Sequence, residues 1–113
     1  MKLLESHEKF EQMIGRIPAD PKDPIPGSSI IYFTAKWCGA CRRINMNEVE
    51  EATKHINMLK CDIDLNDYTA GFCGIRSIPT FLAIKDTKII GQLTSADTSK
   101  ILEWTAQLFP TGK

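Results

Sequence analysis

Hydrophobic and polar residues follow two different periods along the chain, and they predict strands interleaved with helices. Residues 29–35, SIIYFTA, form a β-branched and aromatic run without polar alternation, which is typical of a strand buried on both faces of a sheet. Residues 57–64, NMLKCDID, alternate in polarity and predict a second strand. The mostly helix-tolerant residues 42–56 lie between these strands, and this order predicts a parallel pair with a right-handed crossover.

The remaining segments extend this pattern toward both ends of the chain. A short strand is predicted at residues 2–5, and a helix capped by Ser6 is predicted to end near Ile17. Beyond the second strand we predict a short helix, a hairpin with a turn at Asp86 and Thr87, and a final helix, at residues 66–72, 80–93 and 97–109. The resulting order, β-α-β-α-β-α-β-β-α, predicts an α/β fold with helices flanking a central mixed sheet.

A proline-rich segment, PADPKDPIPGSS at residues 18–29, interrupts the regular elements. It holds four of the six prolines, which excludes a helix or a central strand because proline lacks a backbone donor. We expect a surface loop here. It is either a tolerated insertion between elements or a contact for a specific partner.

Length and charge exclude several classes of protein. The chain has 113 residues, which predicts one domain over residues 1–113 on the usual scale of about 100 to 200 residues per domain. Lys and Arg balance Asp and Glu at 14 each, so the basic field of a nucleic-acid binder is absent. No apolar run approaches the roughly 18 residues of a membrane span, and the first residues turn polar too early for a signal peptide. We therefore expect a soluble cytoplasmic monomer that binds neither nucleic acid nor membrane.

Two of the four cysteines, Cys38 and Cys41, lie three residues apart where the first long strand is followed by a predicted helix. Unpaired backbone N–H groups at a helix start favour the thiolate of Cys38, and Arg42 and Arg43 add positive charge. Cys41, one helical turn further on, is expected to be deeper and less exposed. This arrangement suits a nucleophilic Cys38 and a resolving Cys41.

The other candidate ligands and nucleophiles point to structural roles. Cys61 lies on a predicted strand and is expected to be a small buried residue. Cys73 ends a helix and is either structural or a site of oxidation. His7 and His55 are expected to be solvated, and a single close-spaced cysteine pair does not make a zinc site. No metal and no cofactor are expected.

Two segments carry a family resemblance. Residues 33–41, FTAKWCGAC, resemble the active-site strand and motif of the thioredoxin family, and residues 74–81, GIRSIPTF, resemble that family's segment around its cis-proline. The resemblance covers roughly residues 1–109 and implies a thioredoxin fold, thiol-disulfide exchange and a redox-active Cys38–Cys41 disulfide. It also implies a cis bond before Pro79, with the backbone of Ile78 offered to an extended substrate segment. The implied substrate platform consists of Trp37, Gly39, Ala40, Ile78 and Pro79.

The chain departs from the family pattern beside the active site. The buried acid usual six positions before the first cysteine is replaced by Tyr32, whose phenol, with an ordinary pKa of about 10, is a poor base at pH 7. We expect slower deprotonation of Cys41, or help from water or from Lys60, which matches a family lysine. Alternatively, Lys60 simply extends to solvent.

Three further departures affect the surroundings of the cysteines. Ala40 replaces the proline between them, Met46 replaces a helix-kinking proline, and the glycine that follows the hairpin is missing from residues 93–96. The first of these changes is expected to shift the balance between dithiol and disulfide. Without a histidine between the cysteines, a reductant is favoured over the strongly oxidising members.

The sequence thus predicts a protein-disulfide reductase in which Cys38 attacks and Cys41 resolves. Disulfide-containing proteins are the expected substrates, and the resemblance suggests a thioredoxin-reductase-type electron donor, with glutathione a weaker alternative. Two other functions stay open: a non-catalytic binding or assembly module, and a more oxidising disulfide oxidase or isomerase.

Overall fold

The computed structural model describes residues 1–110 and confirms the predicted order of strands and helices. Residues 1–110 contain five strands, β1 Lys2–Leu3, β2 Ser28–Thr34, β3 Asn57–Asp62, β4 Thr80–Lys85 and β5 Lys88–Thr94. The same part of the chain contains four α-helices, α1 His7–Met13, α2 Met46–Ala52, α3 Asp67–Phe72 and α4 Thr98–Leu108. A short 3-10 helix, Ala40–Arg43, lies between β2 and α2.

The strands form one mixed sheet in the order β1-β3-β2-β4-β5. β3 pairs in parallel with both β1 and β2, whereas β4 is antiparallel to β2 and to β5. β2 lies at the centre, as its apolar run predicted, and six of its seven residues are buried. This topology places Tyr32 between Lys60 on β3 and Phe81 on β4.

The core has one layer on each face of the sheet, because alternate residues of β2 point to opposite sides. Ile30 and Tyr32 pack in the layer that contains both Cys38 and Cys41. Ile31 and Phe33 pack in the other layer, against α1 and α3. No helix within residues 1–110 is long and apolar enough to cross a membrane.

The prediction of one helix through residues 42–56 is wrong. The 3-10 helix ends at Arg43, Ile44 is extended with φ −77° and ψ 132°, and α2 covers only Met46–Ala52. The side chain of Asn45 accepts a hydrogen bond from the backbone N–H of Glu48 at 3.2 Å and so starts a new helix. The break thus occurs without the family's proline at position 46.

Two turns explain where α1 ends and where β4 and β5 are joined. α1 ends at Met13 rather than near Ile17, and Gly15 follows with φ +76°, a conformation that favours glycine. The hairpin turn has positive φ at both Asp86 and Thr87, as a two-residue turn of type I′ requires. The proline-rich loop leads into β2 beside this turn, where the carbonyl of Gly27 accepts from the N–H of Asp86 at 2.8 Å.

Candidate active site

A disulfide joins Cys38 and Cys41 directly after the central strand. Their Cα atoms are 5.4 Å apart, and the backbone N–H of Cys41 donates to the Sγ of Cys38 at 3.1 Å. The predicted α-helical turn at this point is instead the 3-10 helix Ala40–Arg43. A backbone N–H nevertheless donates to the Cys38 sulfur, and such a donor favours the thiolate of Cys38 once the disulfide is reduced.

The expected difference in exposure between the cysteines is wrong for this disulfide form. Cys38 is 4% exposed and Cys41 is 8% exposed, so Cys41 is not the deeper residue. Both side chains lie in the same core layer, together with Tyr32. Their different roles must therefore come from what surrounds each sulfur.

Trp37 lies on the surface beside the disulfide and is 63% exposed. Its indole Nε1 donates to the Oδ2 of Asp64 at 2.9 Å, which fixes the ring over the loop after β3. Asp64 was not among the site residues predicted from the sequence. The signal was available, since β2 and β3 are predicted to be parallel and the residues that follow parallel strands meet at one edge of the sheet.

The segment before β4 supplies the other side of the site. The Ile78–Pro79 peptide bond is cis, as the resemblance implied. Thr80 pairs with Phe33 near the end of β2, and its hydroxyl donates to the Ser77 carbonyl at 2.7 Å. Ile78 is half-buried against the core layer that holds both cysteines.

The residues of the implied platform therefore lie at one end of the sheet. Trp37 and Gly39 are exposed, Ala40 and Ile78 are half-buried, and Pro79 is buried.

Tyr32 is buried and cannot take a proton near neutral pH. The ring is stacked on Phe81 with centroids 4.9 Å apart and planes 14° apart. Burial raises the pKa of its phenol, and a hydrogen bond with Thr34 offsets this only in part. Tyr32 thus fills the position of the family's acid with an aromatic core side chain.

A cleft of about 360 Å³ opens next to the disulfide, on the side of Tyr32. Both cysteines line it, together with exposed Lys60 and buried Asp62 from β3. Lys60 therefore reaches solvent and borders the site at once, which combines the two interpretations offered by the sequence. Asp62 was missed, because a single aspartate in a strand pattern has no distinguishing local signal.

The two remaining cysteines, Cys61 and Cys73, are free thiols. Burial raises the pKa of Cys61 to about 12, with smaller contributions from Cys73 and Asp62, and burial raises the pKa of Cys73 to about 11. Cys61 is fully buried, as predicted. Within the described residues, no group of three or more histidine, cysteine or carboxylate side chains is placed to hold a metal ion.

The prediction of a solvated His7 is wrong. Its ring is half-buried, lies 4.5 Å from the ring of Tyr68, and has Nδ1 3.0 Å from the hydroxyl of Thr69. His55 is exposed, and its Nε2 lies 3.0 Å from the carbonyl oxygen of Phe109. Both histidines connect elements of the fold rather than joining the cysteine pair.

Comparisons with known proteins agree with this geometry. The family model described as Thioredoxin matches residues 4–107. A TPR repeat-containing thioredoxin of Arabidopsis thaliana is 39% identical over 80 residues, which are 69% of this chain and 21% of that protein. A thioredoxin H-type of Ricinus communis is 30% identical over 87 residues, covering 75% of this chain and 74% of the relative.

A solved thioredoxin of Malassezia sympodialis is 28% identical, with a TM-score of 0.76 over 94% of this chain and 90% of that one. The chain thus spans about a fifth of the Arabidopsis relative and nearly the whole of the solved structure. These likenesses confirm the predicted fold.

Proposed function

Because the chain belongs to the thioredoxin family of thiol-disulfide oxidoreductases, we propose that it reduces disulfide bonds in protein substrates with the dithiol of Cys38 and Cys41. The observation that supports this most directly is the Cys38–Cys41 disulfide, with Ile78 of the cis Ile78–Pro79 bond packed against the same core layer. The chain can therefore hold the oxidised product of such a reaction. Exposed Trp37 offers apolar surface next to it.

The reaction starts from the reduced pair. The thiolate of Cys38 attacks one sulfur of a substrate disulfide, the other substrate sulfur leaves as a thiolate, and a mixed disulfide forms. Cys41 then loses its proton and attacks the Cys38 sulfur. The Cys38–Cys41 bond forms, and the second substrate sulfur leaves as a thiolate that takes up a proton. Two electrons have passed to the substrate.

Substrate capture is assigned to the surface formed by Trp37, Gly39, Ala40, Ile78 and Pro79. Its apolar side chains hold the chain that flanks the target disulfide, and the backbone of Ile78 pairs with that chain in extended conformation. Asp64 supports this surface because it anchors the Trp37 indole.

Insulin reduction tests the activity. The Cys38→Ser variant is expected to fall to background, and Cys73→Ser, which removes a thiol outside the pair, is expected to match the wild type. An inactive wild type that still binds partner proteins would instead establish a binding module. A Cys41→Ser variant traps substrates as mixed disulfides on Cys38 and identifies them.

The reduction potential separates a reductant from an oxidase or isomerase. A value of about −270 mV supports reduction, whereas one of about −180 mV supports the more oxidising alternative.

The half-buried Cys73, left as a free thiol, fits a reducing compartment.

The electron donor, location and assembly state belong to the same proposal. We assign the donor as a dithiol protein of the thioredoxin-reductase type, the location as the cytoplasm and the assembly as a monomer. Turnover with such a reductase compared with turnover with glutathione, cell fractionation and sedimentation test these assignments in turn.

A further inference from the structure

The resolving step needs a proton acceptor that the position of Tyr32 does not supply. The Cys41 thiol must ionise before it can attack the mixed disulfide, and a buried thiol gives up its proton less readily than one in water. Cys41 is 8% exposed. Tyr32, which lines the same cleft, is a core phenol with a raised pKa.

Asp62 is a carboxylate that borders the same cleft as both cysteines. It ends β3 opposite Thr34 of β2, and side chains alternate along a strand. Met58 of β3 packs in the cysteine-containing layer and Leu59 and Cys61 pack in the other layer. Asp62 therefore points to the side of the sheet on which the disulfide lies.

One oxygen of this carboxylate has a structural task and the other does not. Oδ1 accepts from the backbone N–H of Asp64 at 2.9 Å, which shapes the loop that carries the Trp37 anchor. No protein donor reaches Oδ2 among residues 1–110, and this oxygen keeps some contact with solvent. Oδ2 is thus available to water in the cleft and to a proton.

We propose that Asp62 accepts the proton of Cys41 in the resolving step. The proton moves from the Cys41 sulfur to Oδ2 of Asp62, directly or through a water in the cleft. The new thiolate attacks Cys38, the Cys38–Cys41 bond forms and the substrate thiolate leaves. Asp62 afterwards returns the proton to solvent through the cleft mouth, so no further reactant is needed.

The charges around the cleft favour this transfer. Lys36, Arg42 and Lys60 line it, and their positive charges stabilise the thiolate that forms. Arg42 is held in place by a 2.9 Å hydrogen bond from its Nη2 to the carbonyl of Lys36. At the rim, the amino group of Met1 lies 3.5 Å from the Glu50 carboxylate.

This inference rests on the proposed reductase function, and a two-phase reaction separates the two. Reduced protein mixed with dithiobis(nitrobenzoate) releases one coloured thionitrobenzoate when Cys38 attacks and a second when Cys41 resolves. A Cys73→Ser background keeps the readout on the active pair. If the wild type lacks the first phase, the proposed function fails. If both phases occur in the wild type but substitution of Asp62 leaves the second phase unchanged, only the inference about Asp62 fails.

The decisive variant is Asp62→Asn, because an asparagine oxygen still accepts from the Asp64 N–H while the basic group is lost. We expect an unchanged first phase and a second phase slowed at least about tenfold at pH 7, since general bases contribute about 10²- to 10⁴-fold. The pH midpoint of the second phase is expected to rise. Asp62→Glu should restore most of the rate, and Asp67→Asn, an exposed carboxylate outside the cleft, should change neither phase.

Three results would overturn the assignment. These are an unchanged second phase in Asp62→Asn, equal slowing of both phases, and equal slowing in Asp67→Asn. If Asp62→Asn does not fold, Asp62→Ser keeps an oxygen acceptor for the turn and replaces it under the same criteria.

Discussion

Restoring a carboxylate at position 32 is the sharpest test of how Cys41 loses its proton. Tyr32→Asp places an acid in the core layer that contains Cys41, at a side chain that is 4% exposed in the wild type. Tyr32→Asn introduces a side chain of nearly the same shape as aspartate but without a basic group, so it is the matched control. Tyr32→Phe keeps the ring stacked on Phe81 and removes only the hydroxyl.

The structure sets the cost in stability. Both Asp and Asn lose the buried ring and its stacking on Phe81, which corresponds to about 3 to 5 kcal/mol for removing a large aromatic side chain. Against a total of about 5 to 15 kcal/mol, both variants are expected to fold with reduced stability. Tyr32→Phe should lose about 1 kcal/mol or less, because the ring stays in place and only the hydroxyl is removed.

Only the Asp variant should show an added pH dependence of stability. Burial raises the pKa of a carboxyl above its unfolded value of about 3.9, and each unit corresponds to about 1.4 kcal/mol. The unfolded state then releases its proton at a lower pH than the folded state. Unfolding free energy is therefore expected to be highest below about pH 4 and to fall as pH rises through the folded pKa. Urea titrations from pH 4 to 8 measure this.

The kinetic signature is the second phase of thionitrobenzoate release. We expect Tyr32→Asp to move its pH midpoint downward and, in an Asp62→Asn background, to recover at least about tenfold of the lost rate. Tyr32→Asn should do neither. If the Asp and Asn variants give superimposable pH profiles in both backgrounds, a carboxylate beside Cys41 does not assist resolution and the reasoning on Tyr32 is refuted.

Three further predictions follow from single features. Asp64→Ala removes the acceptor of the hydrogen bond from the Trp37 indole. Because such a bond contributes a net stabilisation of about 1 kcal/mol, we expect about a fivefold higher KM for insulin and an unchanged first phase with dithiobis(nitrobenzoate). The pKa values of Cys61 and Cys73 are raised to about 12 and 11, so both thiols should resist alkylation at pH 8 until urea unfolds the chain. The free energy of unfolding should fall as pH rises above about 9, where only the unfolded thiols ionise. Rapid alkylation of Cys61 in the native protein would contradict this. Thr87 adopts φ +67°, so Thr87→Gly should raise the unfolding free energy by about 1 kcal/mol, and a lower urea midpoint would count against backbone strain at the turn.

Local patterns predicted most of the fold. The apolar run of β2 identified the central strand, and the Asp86–Thr87 dipeptide between two apolar strands identified the hairpin even without glycine. The prediction of one helix after the cysteines failed because most of the residues there are tolerated in a helix. There, the Asn45 side chain competes for the backbone and starts α2 anew.

The site was only half predictable, for a related reason. Cys38, Cys41 and the cis-proline segment lie in two short motifs that can be read along the chain. The Trp37–Asp64 hydrogen bond joins residues 27 positions apart, and Asp62 lines the same cleft as the cysteines only because β3 pairs with β2. Such contacts depend on strand register, which a single sequence specifies weakly.

The proline-rich loop offers a place to modify this protein without touching its chemistry. β2 has seven residues and separates the loop from the cysteines by about 20 Å, given about 3.3 Å per strand residue. The Asp86 N–H donates to the Gly27 carbonyl at the base of the loop, and the Lys9 ammonium donates to the Asp23 carboxylate at its middle. A dye, a surface tether or a peptide tag inserted near Lys22 would sit at the opposite pole from the electron-transferring sulfurs, making the loop a handle for immobilised or fluorescent versions of the molecule.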